Sequence, residues 1–175
     1  GHGVNRQGMG FWVRRVASRP PPTKGTCMAC LRIHGWARWA HLHKVPVLPF
    51  ALKVVNRLVF GVVLPPEANI SPRCSIGYEG LGTVMHRDVV IEDDVIVGPG
   101  VTLGGRSGLR GAPHVKRGVM IGSGAALLGP ITIGEYAQIG SNAVVLTDVP
   151  AYAVAVGVPA RVVRIETPES IVTYR

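Results

Sequence analysis

The first third of the chain lacks acidic residues. No Asp or Glu precedes Glu67, whereas the same segment holds ten Lys and Arg residues. The chain has 19 basic and 10 acidic residues and a formal net charge of +9, so the part after this segment is near neutral. A cationic, acid-free segment favours an anionic partner, such as a membrane surface. We see no pattern of basic and aromatic residues of the base-stacking type in this segment, so we expect no nucleic-acid partner.

Cysteine is scarce and long apolar runs are absent. Three cysteines in 175 residues argue against a disulfide framework. Cys27 and Cys30 form a single CxxC pair without a second pair, which is a weak signal for a zinc or redox site, and Cys74 is expected to be a small core residue. No apolar run approaches the ~20 residues of a membrane-spanning helix. No secretory signal pattern is recognisable, so we expect a cytoplasmic setting.

What the sequence does contain is a period of six residues between Met85 and Val149. The aliphatic positions are Met85, Ile91, Val97 and Leu103, and, after an interruption, Val115, Ile121, Leu127, Ile133, Ile139 and Val145. An α-helix repeats every 3.6 residues and a strand every two, so neither explains this period. Short strands joined by bends explain it, because inward residues then stack in successive coils. The fold class is therefore an all-β solenoid.

The segment IGSGAALLGPITIGEYAQIGSNAVVLTDVPAYAVAVGVPARVV resembles the hexapeptide-repeat acyltransferases. Within them it resembles the serine acetyltransferase-like branch, which includes sugar and polysaccharide O-acetyltransferases. The resemblance implies a left-handed parallel β-helix, a homotrimer, and acetyl-CoA as co-substrate without a metal. It also implies a groove between subunits, in which backbone groups hold coenzyme A at the positions of Gly105, Ser123 and Ser141.

Four segments are expected along the chain. Residues 1–27 mix Gly, Pro and Arg without a period and are expected to be a disordered leader. Residues 28–63 are expected to form a helical appendage, residues 64–165 the left-handed β-helix domain, and residues 166–175 a tail. The appendage mixes basic and apolar residues, so it either caps the solenoid, packs on a neighbouring subunit, or makes peripheral contact with a membrane.

Acetyl transfer to a hydroxyl needs a base, and histidine is the usual one. Beyond residue 63 only His86 and His114 are available, and both are candidate catalytic residues. His86 follows an irregular stretch of the repeat, and His114 ends a Gly- and Arg-rich loop that in related enzymes closes over the acyl donor. Glu79 and Asp88 are candidates to orient a histidine.

Two arginines near the end of the repeat are candidates for the nucleotide phosphates of the donor. Arg161 and Arg164 lie in the sequence VPARVVR. A guanidinium matches the geometry of a phosphate group and binds it through two hydrogen bonds. We therefore include both residues in the expected cofactor-binding set.

The sequence departs from true serine acetyltransferases where the resemblance implies their catalytic residues. Their histidine would precede Val84, but residues 78–82 read YEGLG; their aspartate would fall in residues 63–65, which read VLP; and their loop histidine aligns closest to Ala112. We therefore expect an acetyl-CoA-dependent O-acetyltransferase acting on a small molecule, sugar or polysaccharide precursor. Alternatives are serine O-acetyltransferase, a γ-carbonic-anhydrase-like zinc lyase and a non-catalytic trimeric scaffold.

Overall fold

The computed structural model describes residues 29–166, which form two helices followed by a parallel β-helix. Helix α1 spans Ala29–Leu42 and helix α2 spans Leu48–Phe60. Gly61, in the left-handed conformation (φ 64°), ends α2. The expectations for the leader, the tail beyond residue 166 and the Cys27 half of the CxxC pair lie outside the described residues.

The β-helix has three sheets, one on each side of a triangular prism. The first sheet contains β1 (Asn69–Ile70), β4 (Val90–Ile91), β7 (His114–Val115) and β10 (Thr132–Ile133). The second contains β2 (Ser75–Ile76), β5 (Ile96–Val97), β8 (Met120–Ile121), β11 (Gln138–Ile139), β13 (Ala153–Val156) and the antiparallel β14 (Arg161–Ile165). The third contains β3 (Val84–Met85), β6 (Thr102–Gly104), β9 (Ala126–Leu128) and β12 (Val144–Val145).

The six-residue period forms the core of this prism, as predicted. All ten aliphatic residues of the period are buried, with exposed fractions of 3% or less. The register stacks each on its equivalent in the next coil, as Leu103 on Leu127 and Val97 on Ile121. Each such side chain stabilises the fold by about 1.5–3 kcal/mol on burial. The left-handed β-helix class with a helical appendage is thereby confirmed.

Three rows of turns run along the corners of the prism, and each is named here by its content. The serine corner comprises residues 98–100, 122–124 and 140–142, which are turns between the second and third sheets, and the loop of residues 77–83 precedes them on the same side of the prism. The histidine corner, between the third and first sheets, comprises residues 86–88, 105–113, 129–130 and 146–148. The charged corner, between the first and second sheets, comprises residues 71–73, 92–94, 116–118, 134–136 and 150–152.

The two helices pack on the first coil of the prism as a helical hairpin. His34 is 2% exposed, and its Nε2 donates to the carbonyl oxygen of Pro65 at 3.0 Å. Burial lowers the pKa of His34 and so favours the neutral imidazole, which makes this hydrogen bond with Nε2 as the donor. Cys30 and Leu31 join the hydrophobic core, as does Cys74, whose burial was expected. In the described part of the chain, no helix is long and apolar enough to cross a bilayer.

Candidate functional site

The serine corner is a row of small, exposed residues. Ser123 and Ser141 occupy equivalent turns of successive coils, and both are exposed. The coils approach so closely that a Cβ on Gly98 would lie 2.7 Å from the Ser123 nitrogen, and one on Gly122 would lie 2.5 Å from the Ser141 nitrogen. Only glycine fits beneath each serine. The corner therefore presents backbone and hydroxyl groups without large side chains to cover them.

Strand β14 brings one of the two candidate arginines to the serine corner. Its antiparallel register pairs Arg161 with Val156, the last residue of β13. Val156 lies directly over Gly140, because a Cβ there would be 2.7 Å from its Cγ1. Arg161 thus lies at the serine-corner end of the second sheet, two strands beyond the turn that carries Ser141. Arg164 pairs with Val154, which is nearer to the charged corner. The two arginines therefore lie at different positions along the sheet.

His86 and Gly105 meet at the histidine corner. A Cβ on Gly105 would lie 3.9 Å from His86 Nε2. On the other side of the ring, Nδ1 accepts a hydrogen bond from the backbone N–H of Asp88 at 3.2 Å and lies 3.6 Å from Asp88 Oδ2. In a neutral ring, an Nδ1 that accepts this hydrogen bond leaves the proton on Nε2, whereas a base at Nε2 requires the other tautomer, with the proton on Nδ1. The Asp88 carboxylate lies on the Nδ1 side of the ring, where it faces that proton in the second tautomer.

His114 belongs to a different cluster. Its Nε2 lies 2.9 Å from Glu92 Oε1, which is also 3.1 Å from Lys116 Nζ. The backbone N–H of Arg117 donates to Glu92 Oε2 at 3.1 Å. Burial raises the pKa of Glu92, but the hydrogen bonds from Lys116 and His114 outweigh it, so this pKa lies below its usual value. The structure ties His114 to the charged corner and leaves His86 as the histidine beside Gly105.

The loop after β2 holds Tyr78 and Glu79 in left-handed conformations, with φ of 53° and 55°. Tyr78 is 82% exposed. Glu79 Oε2 accepts a hydrogen bond from the Cys30 N–H in the first turn of α1 at 3.2 Å, where a carboxylate stabilises a helix. Burial, and after it Glu79, raises the pKa of the Cys30 thiol to about 12. Glu79 therefore holds α1 and does not orient a histidine.

The Gly- and Arg-rich loop folds back along the histidine corner. Arg106 and Leu109 bridge across its turn, and Arg106 Nη1 donates to the carbonyl oxygen of Leu146 at 3.4 Å. A Cβ on Gly129 would lie 3.3 Å from Arg106 Cβ, so the loop rests on the following coil. The sequence showed a cationic loop but held no signal for this contact, because the residues are 40 positions apart.

The zinc-lyase alternative requires three histidines that converge on one ion. Within residues 29–166, no group of three or more His, Cys, Asp or Glu side chains is placed to hold a metal ion. His86 and His114 lie in different surroundings, at the histidine corner and in the charged cluster. Nothing in the described geometry supports that alternative.

The repeat and the prism define a hexapeptide-repeat transferase. Residues 112–147 match the family described as bacterial transferase hexapeptide (six repeats). The resemblance found in the sequence is thereby confirmed.

The chain belongs more specifically to the serine acetyltransferase family. It is 35% identical over 162 residues to the serine acetyltransferase of Staphylococcus aureus strain Mu50, covering 87% of this chain and 76% of the relative. It is 37% identical over 132 residues to that of Synechococcus elongatus, covering 74% and 54%. The structure of the Brucella abortus serine acetyltransferase in complex with coenzyme A superimposes with a TM-score of 0.77 at 27% identity, covering 91% and 70%. The chain spans about half the length of several curated relatives.

Proposed function

We propose that the protein is an acetyl-CoA-dependent O-acetyltransferase whose donor lies along the serine corner. The observation that carries the proposal is the alignment of Ser123, Ser141 and Arg161 on one corner. Small residues leave the backbone open to the pantetheine arm, and Arg161 supplies a cation for a phosphate of the nucleotide. A relative of the same fold has been solved with coenzyme A bound.

The comparisons favour L-serine as the acceptor. The sequence alone led us to expect a sugar or another small hydroxyl compound, with serine as an alternative, but the relatives named above are serine acetyltransferases. One observation favours a saccharide acceptor as the second candidate. The loop in which the resemblance places the serine-specific histidine carries Tyr78 and Glu79, and Glu79 is engaged with α1.

His86 is the proposed general base. In the reacting tautomer the ring proton is on Nδ1 and faces the Asp88 carboxylate, so Nε2 takes the proton of the acceptor hydroxyl while that oxygen attacks the thioester carbonyl carbon. The tetrahedral intermediate collapses by breaking the carbon–sulfur bond. The imidazolium then returns its proton to the departing thiolate, which yields the O-acetyl ester and free coenzyme A.

The proposed site requires two copies of the chain. Gly105 and His86 lie at the histidine corner, whereas Ser123 and Ser141 lie at the serine corner. The third sheet separates these corners by roughly 10–15 Å, at about 3.3 Å per residue. A base beside one prism therefore reaches a donor in the serine corner of a neighbouring prism, as in the homotrimer that the resemblance implies.

The decisive experiment follows the release of coenzyme A from acetyl-CoA with L-serine, with sugars, and without an acceptor. Rapid release with serine alone selects the first candidate. His86→Asn removes the proposed base, so kcat is expected to fall at least ~100-fold, which is the contribution typical of a general base. The Kd for coenzyme A is expected to stay unchanged. The control is His114→Asn, which alters the charged cluster and leaves kcat within about twofold. The opposite pattern would refute the assignment of the base.

The scaffold alternative is tested by binding alone. If the protein is an enzyme of this class, coenzyme A stabilises the folded state and raises Tm in proportion to the logarithm of its concentration. A Tm that is independent of coenzyme A, together with no heat in a calorimetric titration, would leave the scaffold as the better description.

A further inference from the structure

Helix α2 turns its apolar side away from the protein. Its one buried residue is polar: Asn56 is 1% exposed, and its Nδ2 donates to the carbonyl oxygen of Cys30 at 3.0 Å. By contrast, Phe50, Leu58 and Val59 are 68%, 79% and 65% exposed. A surface helix of a water-soluble protein normally has the reverse arrangement, with its apolar stripe on the core. An apolar surface of this kind marks an interaction site.

Helix α1 exposes a second apolar stripe. Leu31 of this helix is in the core, whereas Leu42 is 64% exposed. Trp36 and Trp39 are 59% and 55% exposed. They lie three residues apart on one side of the helix, whereas the buried Cys30, His34 and Ala37 lie on the opposite side. Both helices therefore present apolar residues on the sides that do not pack.

The charged residues of the two helices and of the turn between them are all cationic. Residues 29–60 contain five Lys and Arg residues and no carboxylate. The Arg32 guanidinium lies over the Trp36 ring, 5.9 Å from its centroid. Lys53 and Arg57 lie on α2, and Arg57 is exposed at one margin of its apolar side. Pairing this hairpin with the same hairpin of a second copy would place cation against cation without a carboxylate between them, which costs free energy.

An anionic bilayer matches both properties of the hairpin. Its acyl boundary receives apolar side chains from a helix that lies in the plane of the membrane, and its headgroups attract Lys and Arg by about 1 kcal/mol per residue. Tryptophan in particular prefers the level of the headgroups. Long basic side chains extend from an apolar face to reach the phosphates.

We propose that the helical hairpin is a docking surface for an anionic membrane. Trp36, Trp39, Phe50 and Leu58 enter the boundary between headgroups and acyl chains, and Lys53 and Arg57 contact lipid phosphates. None of the residues assigned to acetyl transfer lies on this surface, so the proposal is independent of the function proposed above.

The test is sedimentation of the full chain with phosphatidylcholine vesicles, prepared with and without phosphatidylglycerol. The protein is expected to bind the vesicles that contain phosphatidylglycerol at low salt and to shift its tryptophan emission to shorter wavelength. Raising the salt weakens the attraction of the headgroups and is expected to reduce binding. Equal binding to both vesicle types, or to neither, would overturn the proposal.

Three double variants test whether the hairpin binds the vesicles. Phe50→Gln with Leu58→Gln is expected to lower the partition coefficient at least tenfold and to leave acetyl transfer in solution unchanged. The matched control is Val163→Gln with Ile165→Gln on β14, where the residues are 60% and 63% exposed, and it is expected to bind as the parent does. Lys53→Gln with Arg57→Gln is expected to make vesicle binding depend less on the salt concentration.

Two results with the hairpin variant would contradict the proposal. Unchanged vesicle binding would show that another part of the chain, such as the basic residues before Ala29, binds the lipid. A changed mass in analytical ultracentrifugation would show that a second copy covers α2. Circular dichroism and the Tm of each variant establish that the helices are intact in these comparisons.

Discussion

The charged corner and the serine corner are formed by turns of the same successive coils, but the side chains on the two rows of turns differ. At the charged corner, side chains from successive coils bind one another. Arg73 pairs with Asp93, Arg117 donates twice to Asp94 at 3.1 and 2.9 Å, and Tyr136 stacks on Tyr152 with ring centroids 5.6 Å apart. At the serine corner, the three turns carry only Gly, Pro, Ser and Asn, and the larger Tyr78 belongs to the loop that precedes them.

Glycine at the first position of a turn can be required by the close approach of two coils, so glycine alone does not identify the donor-binding corner. A Cβ on Gly134, at the charged corner, would lie 2.3 Å from the Ala151 nitrogen. The distance for Gly122 at the serine corner, to the Ser141 nitrogen, is 2.5 Å. Gly134 therefore shows that two coils can approach closely enough to require glycine at the charged corner too, although the other turns of that corner begin with Ser71, Glu92, Lys116 and Pro150. The residues that follow them decide whether a corner is closed by contacts between coils or left open for a ligand.

The largest expected effect comes from closing the serine corner. Ser141→Trp places an indole where the donor is proposed to lie, so we expect the coenzyme A Kd to rise at least ~100-fold, which corresponds to about 2.7 kcal/mol. Tm is expected to change little, because Ser141 is exposed. Glu135→Trp adds the same side chain at an exposed position of the charged corner and serves as the control. Equal loss of affinity in both variants would remove the distinction between the corners.

An intermediate effect is expected from opening the charged corner. Tyr136→Ser removes the stacking on Tyr152, which for aromatic pairs contributes about 0.5–1.5 kcal/mol beyond burial. We expect a lower free energy of unfolding, measured by urea denaturation, and an unchanged Kd for coenzyme A. Tyr152→Ser should cost a similar amount, and the double variant should cost less than the sum of the two. A weaker affinity for coenzyme A would show that this corner also takes part in binding.

The smallest effect concerns Glu92 and pH. Because its folded-state pKa lies below the usual 4.5, the carboxylate stabilises the fold above that pH, and the contribution is lost as the pH falls through the lowered pKa. Glu92→Gln is therefore expected to lower Tm at pH 7 and to reduce the loss of Tm on acidification from pH 5 through the lowered pKa, to about pH 2. The effect should stay below about 1 kcal/mol because the side chain is partly exposed. A variant with the full acid sensitivity of the parent would contradict this role.

The candidate site was predictable where it depends on neighbours in sequence. Asp88 lies two residues after His86, so its place beside that ring followed from local geometry. Glu79 was a candidate for the same role, yet it binds the Cys30 N–H, 49 residues away. The partner of His114 is Glu92, 22 residues earlier. Such contacts depend on how coils and helices are stacked, and no local pattern records them.

The sequence by itself determined the prism, because an aliphatic residue at every sixth position can be buried only if each coil stacks on the last. It also determined that the hairpin is cationic, since charge is a property of composition. Only the tertiary structure decided which corner is open, which arginine lies beside it and which faces of the helices are exposed. Those outcomes depend on the strand register and on the side on which each helix packs, and both are set by contacts between residues far apart in the chain.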